Sequence, residues 1–91
     1  MHIENAKLTL YISHSTSLKD KRQVSRSIID KIRQKFNCSA AEVDTQDVHQ
    51  TLTIGIAVVS GDYAHARQSL DTIIRFVEEN ADAEITKIER D

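Results

Sequence analysis

The sequence predicts an α+β domain of order β-α-β-β-α-β, an antiparallel four-stranded sheet with both helices on one face. Three observations predict it. Two segments alternate apolar and polar or small residues with the two-residue period of a strand. Two longer ones repeat apolar residues at three and four residues, and each of these opens on a side chain able to cap free backbone N–H groups. Ninety-one residues leave room for one core, so 1–91 is read as a single domain.

In the first strand, Lys7 to Ser13, Leu8, Leu10 and Ile12 share one face and Thr9, Tyr11 and Ser13 the other. Ser17 then caps a helix from Leu18 to Phe36, Asp20 favours the positive end of its dipole, and Val24, Ile28, Ile29, Ile32 and Phe36 form its apolar stripe. Asn37 stops it. From Cys38 to Asp44, Ala41 and Val43 alternate with Glu42 and Asp44, as in a second strand at a sheet edge, and Thr45-Gln46-Asp47 has turn chemistry. The third strand begins at Gln50. Its Leu52, Ile54, Ile56 and Val58 alternate with Thr53, Gly55, Ala57 and Val59, and apolar or small residues on both faces place it centrally. Asp62 caps a second helix from Tyr63 to Glu79, with Ala66, Leu70, Ile73, Ile74 and Val77 inward. The last strand, Ala83 to Arg90, has an apolar phase that slips by one residue between Ile85 and Ile88, as a bulge requires. The sheet face away from the helices then carries Thr9, Tyr11, Thr53, Gly55, Ala57 and Val59, with Glu42 and Asp44 in the assigned phase of the second strand.

A hydrophobic share of 40% with long periodic segments predicts a folded chain. The N-terminus lacks the basic start and apolar run of a secretory signal, and no stretch approaches the ~20 apolar residues of a membrane span. A cytoplasmic protein with no membrane partner is expected. The lone Cys38 has no partner for a disulfide or a zinc site and reads as a small buried hydrophobe. A core this small is marginal, so self-association, most simply a homodimer, is expected to supplement it. The net charge of −2 conceals an asymmetry: residues 1–35 hold eight basic and three acidic side chains, the remainder four and eleven. Positive charge gathers on the first helix.

The segments Ser17-Leu-Lys-Asp-Lys-Arg22 with Val24, and Ala41-Glu-Val-Asp-Thr-Gln-Asp47, together with Val58-Val-Ser60, resemble the YlxP-like family (DUF503), a bacterial domain of unknown function. The resemblance runs colinearly along nearly the whole chain. It implies a ferredoxin-like fold, self-association, no established activity or cofactor, and by analogy a setting near RNA. Where relatives often carry tryptophan after the acidic turn, this chain has His49.

The candidate site residues fall in two groups. Lys19, Lys21, Arg22 and Arg26 open the first helix, where cationic side chains and a helix N-terminus attract phosphate, so they are the expected nucleic-acid contacts. Glu42, Asp44, Gln46 and Asp47 form an acidic motif of unassigned role. With one aromatic residue, Tyr11, on the predicted open face, recognition by base stacking on the sheet is not expected. No catalytic residue, metal-ligand set or cofactor is assigned, and His14 and His65 receive no role. The expected function is a non-enzymatic module binding RNA or the ribosome through the basic helix. The alternatives are a protein-interaction or regulatory domain without nucleic-acid binding and, last, a small metal-dependent hydrolase using Glu42, Asp44 and Asp47.

Overall fold

β1 (His2–Tyr11) and β3 (Thr51–Ser60) run antiparallel through all ten residues of each, from His2 opposite Ser60 to Tyr11 opposite Thr51. The computed structural model, which describes residues 1–91, completes the sheet with β2 (Ser39–Glu42) beside β3 and β4 (Glu84–Arg90) beside β1. Its order is β2-β3-β1-β4, with every neighbouring pair antiparallel. Between the strands lie α1 (Leu18–Lys35), packed on β2 and β3, and α2 (Tyr63–Asn80), packed on β1 and β3. This is the predicted ferredoxin-like β-α-β-β-α-β arrangement. Neither helix is long and apolar enough to cross a membrane.

Periodicity explains the core directly. Ala6, Leu8 and Leu10 of β1, the following Ile12, and Leu52, Ile54, Ile56 and Val58 of β3 are buried beneath Ile28, Ile29 and Ile32 of α1 and Leu70, Ile73, Ile74 and Val77 of α2. Both predicted caps form: Ser17 Oγ accepts from Asp20 N–H, and Asp62 Oδ1 accepts from Ala64 and His65 N–H. The phase slip of the last strand is a bulge. Thr9 pairs with Lys87 and Leu10 with Ile85, which leaves Thr86 as the extra residue.

Two expectations need correction. β1 starts at His2, five residues before the predicted Lys7, and ends at Tyr11. Its first half lacks an apolar alternation because Ile3 lies on the open face opposite Val59, while Glu4 and Ala6 point to the helices; pairing with the full length of β3 extends it. The phase of β2 is reversed. Ala40 is buried beneath the helices and Glu42 points the same way, whereas Ala41 and Val43 turn to the open face. Gly55 permits this: a Cβ there would stand 3.3 Å from Val43 Cγ1, so the missing side chain lets Val43 lie over the middle of β3.

Candidate functional site

Of the four basic residues expected to face a ligand, Lys19, Arg22 and Arg26 are exposed on the outer side of α1 and Lys21 is not. The Lys21 side chain is 1% exposed, with its ammonium 2.7 Å from Glu42 Oε2. It also donates to the Thr45 carbonyl. Lys21 is therefore withdrawn from the expected nucleic-acid contacts. The cause is helical spacing: Lys21, Ser25, Ile28 and Ile32 share one stripe, and that stripe faces the core. Ser25 Oγ donates to the other carboxylate oxygen, Glu42 Oε1, at 3.2 Å. Glu42 Oε2 has the ammonium as counter-ion but no hydrogen bond of good geometry, and is otherwise enclosed.

The acidic motif is divided between the two sides of the sheet. Glu42 points under α1 to Lys21, whereas Asp44, at φ 63°, lies over the open face and accepts from Lys7 Nζ at 2.8 Å. The Asp44 hydrogen bond and charge hold the Lys7 ammonium above its ordinary pKa. Between them Thr45 is tied twice, through its carbonyl to Lys21 and through its hydroxyl to Thr53 Oγ1 at 2.9 Å. Gln46 reaches back to the Glu42 carbonyl at 3.5 Å, and Asp47 and His49 are exposed. Glu42, Asp44 and Asp47 therefore do not converge, and no group of three or more His, Cys, Asp or Glu side chains is placed to hold a metal ion. What the arrangement does is anchor the β2–β3 connection. The two segments that resemble the YlxP-like family meet in space at Lys21, Glu42 and Thr45.

A carboxylate of the protein itself stands beside the N-terminus of α1. Asp20 Oδ2 accepts from Thr16 N–H at 3.0 Å and Thr16 Oγ1 at 2.9 Å, beside the Ser17 cap. These bonds hold the Asp20 carboxyl below its ordinary pKa of 3.8, the Thr16 backbone donor being the largest cause. A group with a lowered native pKa stabilises the fold above its unfolded value, and that contribution is lost as pH falls through the native value. Asp20→Asn, which keeps an acceptor but cannot titrate, is expected to make the loss of melting temperature on acidification below about pH 4 shallower; circular dichroism melts across pH check this.

Cations on the flank of α1 remain available. Lys19, Arg22, Arg26, Lys31, Arg33 and Lys35 form no salt bridge within the chain, whereas Lys7, Lys21, Arg67, Lys87 and Arg90 all do. Arg22, Arg26 and Arg33, with Asp30 and Glu42, line a shallow groove of about 390 Å³ between α1 and the β2 edge. Arg33, absent from the sequence-derived site, lies seven residues after Arg26, a spacing that puts both on one stripe. It is anchored by Nε and Nη2 on the Ala40 carbonyl, at 3.1 and 2.6 Å. Lys35 sits 4.9 Å from the Phe76 ring centroid, held by a cation–π contact at the far end. Cys38, beside this end, packs against the core and is partly buried. Burial pushes its thiol above its ordinary pKa of 9.0. Slow alkylation of the native protein at neutral pH, accelerating on unfolding, is expected in a thiol-titration assay.

Fold and site together define a ferredoxin-like domain whose first helix is tied by a buried Lys–Glu pair to the β2–β3 connection and turns a cationic flank outward. The chain belongs to the family described as "Protein of unknown function (DUF503)", whose sequence model matches residues 3–90. It is 34% identical over 70 residues to "Uncharacterized protein YlxP" of Bacillus subtilis (strain 168), covering 77% of this chain and 76% of that protein. Among solved structures it is similar to the solution NMR structure of a de novo designed protein with ferredoxin fold. The TM-score is 0.59 at 16% identity, with 100% of this chain and 84% of the designed one covered, a likeness of fold alone.

Proposed function

We propose that the domain is a binding module for the phosphate backbone of structured RNA, free or within the ribosome, with the outer flank of α1 as its contact surface. One observation carries this reading: the exposed cations of α1 have no carboxylate partner in the chain. Of the acidic motif that follows α1, Glu42 and Asp44 are paired with Lys21 and Lys7. Charge left unmatched on an 18-residue helix about 27 Å long favours an extended polyanion. Because Asp20 sets a negative charge beside the helix N-terminus, the contact is by side chains along the flank, chiefly Lys19, Arg22 and Arg26, with Arg33 beside them. Tyr11 alone offers an aromatic ring on the open face, so the reading is of backbone and shape, with no stacking of bases. A cytoplasmic setting and self-association belong to the same reading, since a second copy doubles the cationic surface.

The test is binding of the purified protein to duplex RNA and to ribosomal subunits across a salt series, beside a folded Lys19→Ala, Arg22→Ala, Arg26→Ala variant. Saturable binding that weakens with salt and is markedly weaker in the variant supports the reading. No binding by the unaltered protein overturns it and directs attention to acidic protein surfaces.

A further inference from the structure

The two edges of the sheet are finished differently. Val43 N–H donates to Thr53 O, so alternation turns the backbone groups of Ala41 toward β3 and those of Ala40 and Glu42 outward. Those outward carbonyls are covered by the chain itself, Ala40 O by Arg33 and Glu42 O by the Gln46 amide. At the opposite edge, Ile12 N–H donates to Gln50 O, so the even residues of β1 bond to β3 and Lys7 and Thr9 bond to β4. Their partners Glu89 and Lys87 therefore turn inward, and the N–H and C=O groups of Ile88 and Arg90 point out. No side chain covers them, and this edge is seven residues long against four for β2.

We infer that this edge is an interface between two copies of the chain, joined by antiparallel β4–β4 pairing about a two-fold axis at Ile88. An uncovered edge is a template for another strand, and charged side chains commonly guard such edges. Here the charges are self-complementary. With the axis at Ile88, Lys87 stands opposite Glu89 of the second copy on the open face, and Glu89 opposite its Lys87. Moving the axis by one residue sets Lys87 against Lys87 or Glu89 against Glu89, so the charge pattern selects one register. On the helix side Ile88, which pairs with Leu8 and is 44% exposed, meets its own symmetry mate. The backbone supports the same centre, because the outward groups of Ile88 exchange both hydrogen bonds across the axis. The regular ladder across the axis runs from Lys87 to Glu89 in each copy, and Arg90 then stands opposite Thr86, the bulge residue, of the second copy. The resulting eight-stranded sheet keeps all four helices on one face, with the two α1 helices at its ends, about six strand spacings or ~29 Å apart. This inference names the interface for the self-association proposed above, and its test reads assembly in the absence of RNA.

Sedimentation analysis of the unaltered protein and of three variants tests it. Lys87→Glu and Glu89→Lys each create two like-charge pairs and are expected to weaken self-association about tenfold or more. Mixed one to one, these two variants restore two opposite-charge pairs and recover the dimer. Ile88→Pro removes an N–H that β1 does not use, so it is expected to leave a folded monomer, checked by circular dichroism. A protein monomeric at every concentration overturns the inference. So does a dimer that both charge variants leave unchanged, which would place the contact elsewhere, such as the exposed Ile3–Val59 pair of the open face.

Discussion

Replacing Lys21 with methionine is expected to lower the unfolding free energy by about 3 kcal/mol, the lower end of the range for breaking a buried ion pair. Methionine preserves much of the volume, so little of this loss is a cavity. It arises from Glu42, whose carboxylate loses its counter-ion beneath α1, and from the Thr45 carbonyl, which loses its donor. The 18% exposure of the Glu42 side chain lets water moderate the penalty, hence the lower end. For a domain of this size that corresponds to a melting temperature lower by about 15 °C. Lys21→Met with Glu42→Leu is expected to recover part of the loss, because removing both charges is less costly than stranding one. Lys19→Ala, two residues away and exposed, should change stability by less than about 0.5 kcal/mol. Urea denaturation of the four proteins completes the comparison; an unchanged midpoint for Lys21→Met would remove the buried tie from the account of this fold.

The second large effect concerns salt. If Lys19, Arg22 and Arg26 each neutralise one phosphate, the triple alanine variant should lose about 0.9 per cation from the slope of log affinity against log salt on a duplex. Between 50 and 200 mM salt the unaltered protein would then lose affinity on the order of 40-fold more than the variant. Lys21 supplies an internal control. Being buried, it should contribute nothing to the slope, so Lys21→Met, assayed where it remains folded, should bind with an unchanged salt dependence. An altered slope in that variant would show that the lysine reaches the ligand in solution.

Parts of this site could be read in the sequence and parts could not, for identifiable reasons. Exposure of Lys19, Arg22 and Arg26 follows from helical phase, since none lies on the stripe of Ile28 and Ile32. The same phase argument places Lys21 on that stripe, but a lysine in a basic cluster reads as surface until its partner is known, and Glu42 is 21 residues away on another element. The split of the acidic motif had no local signal. Ser39-Ala-Ala-Glu42 carries small residues on both faces, so alternation could not choose between its two phases.

The amino-acid sequence by itself determined the element order, both N-caps, the inward faces of α2 and β3 and the bulge in β4, because each rests on spacing or on contacts a few residues apart. The tertiary structure decided the extension of β1, the phase of β2, the meeting of the two motifs at Lys21 and Glu42, and which edge of the sheet is left uncovered. Those depend on pairings between segments distant in the chain, where the burial available at a partner element outweighs local preference.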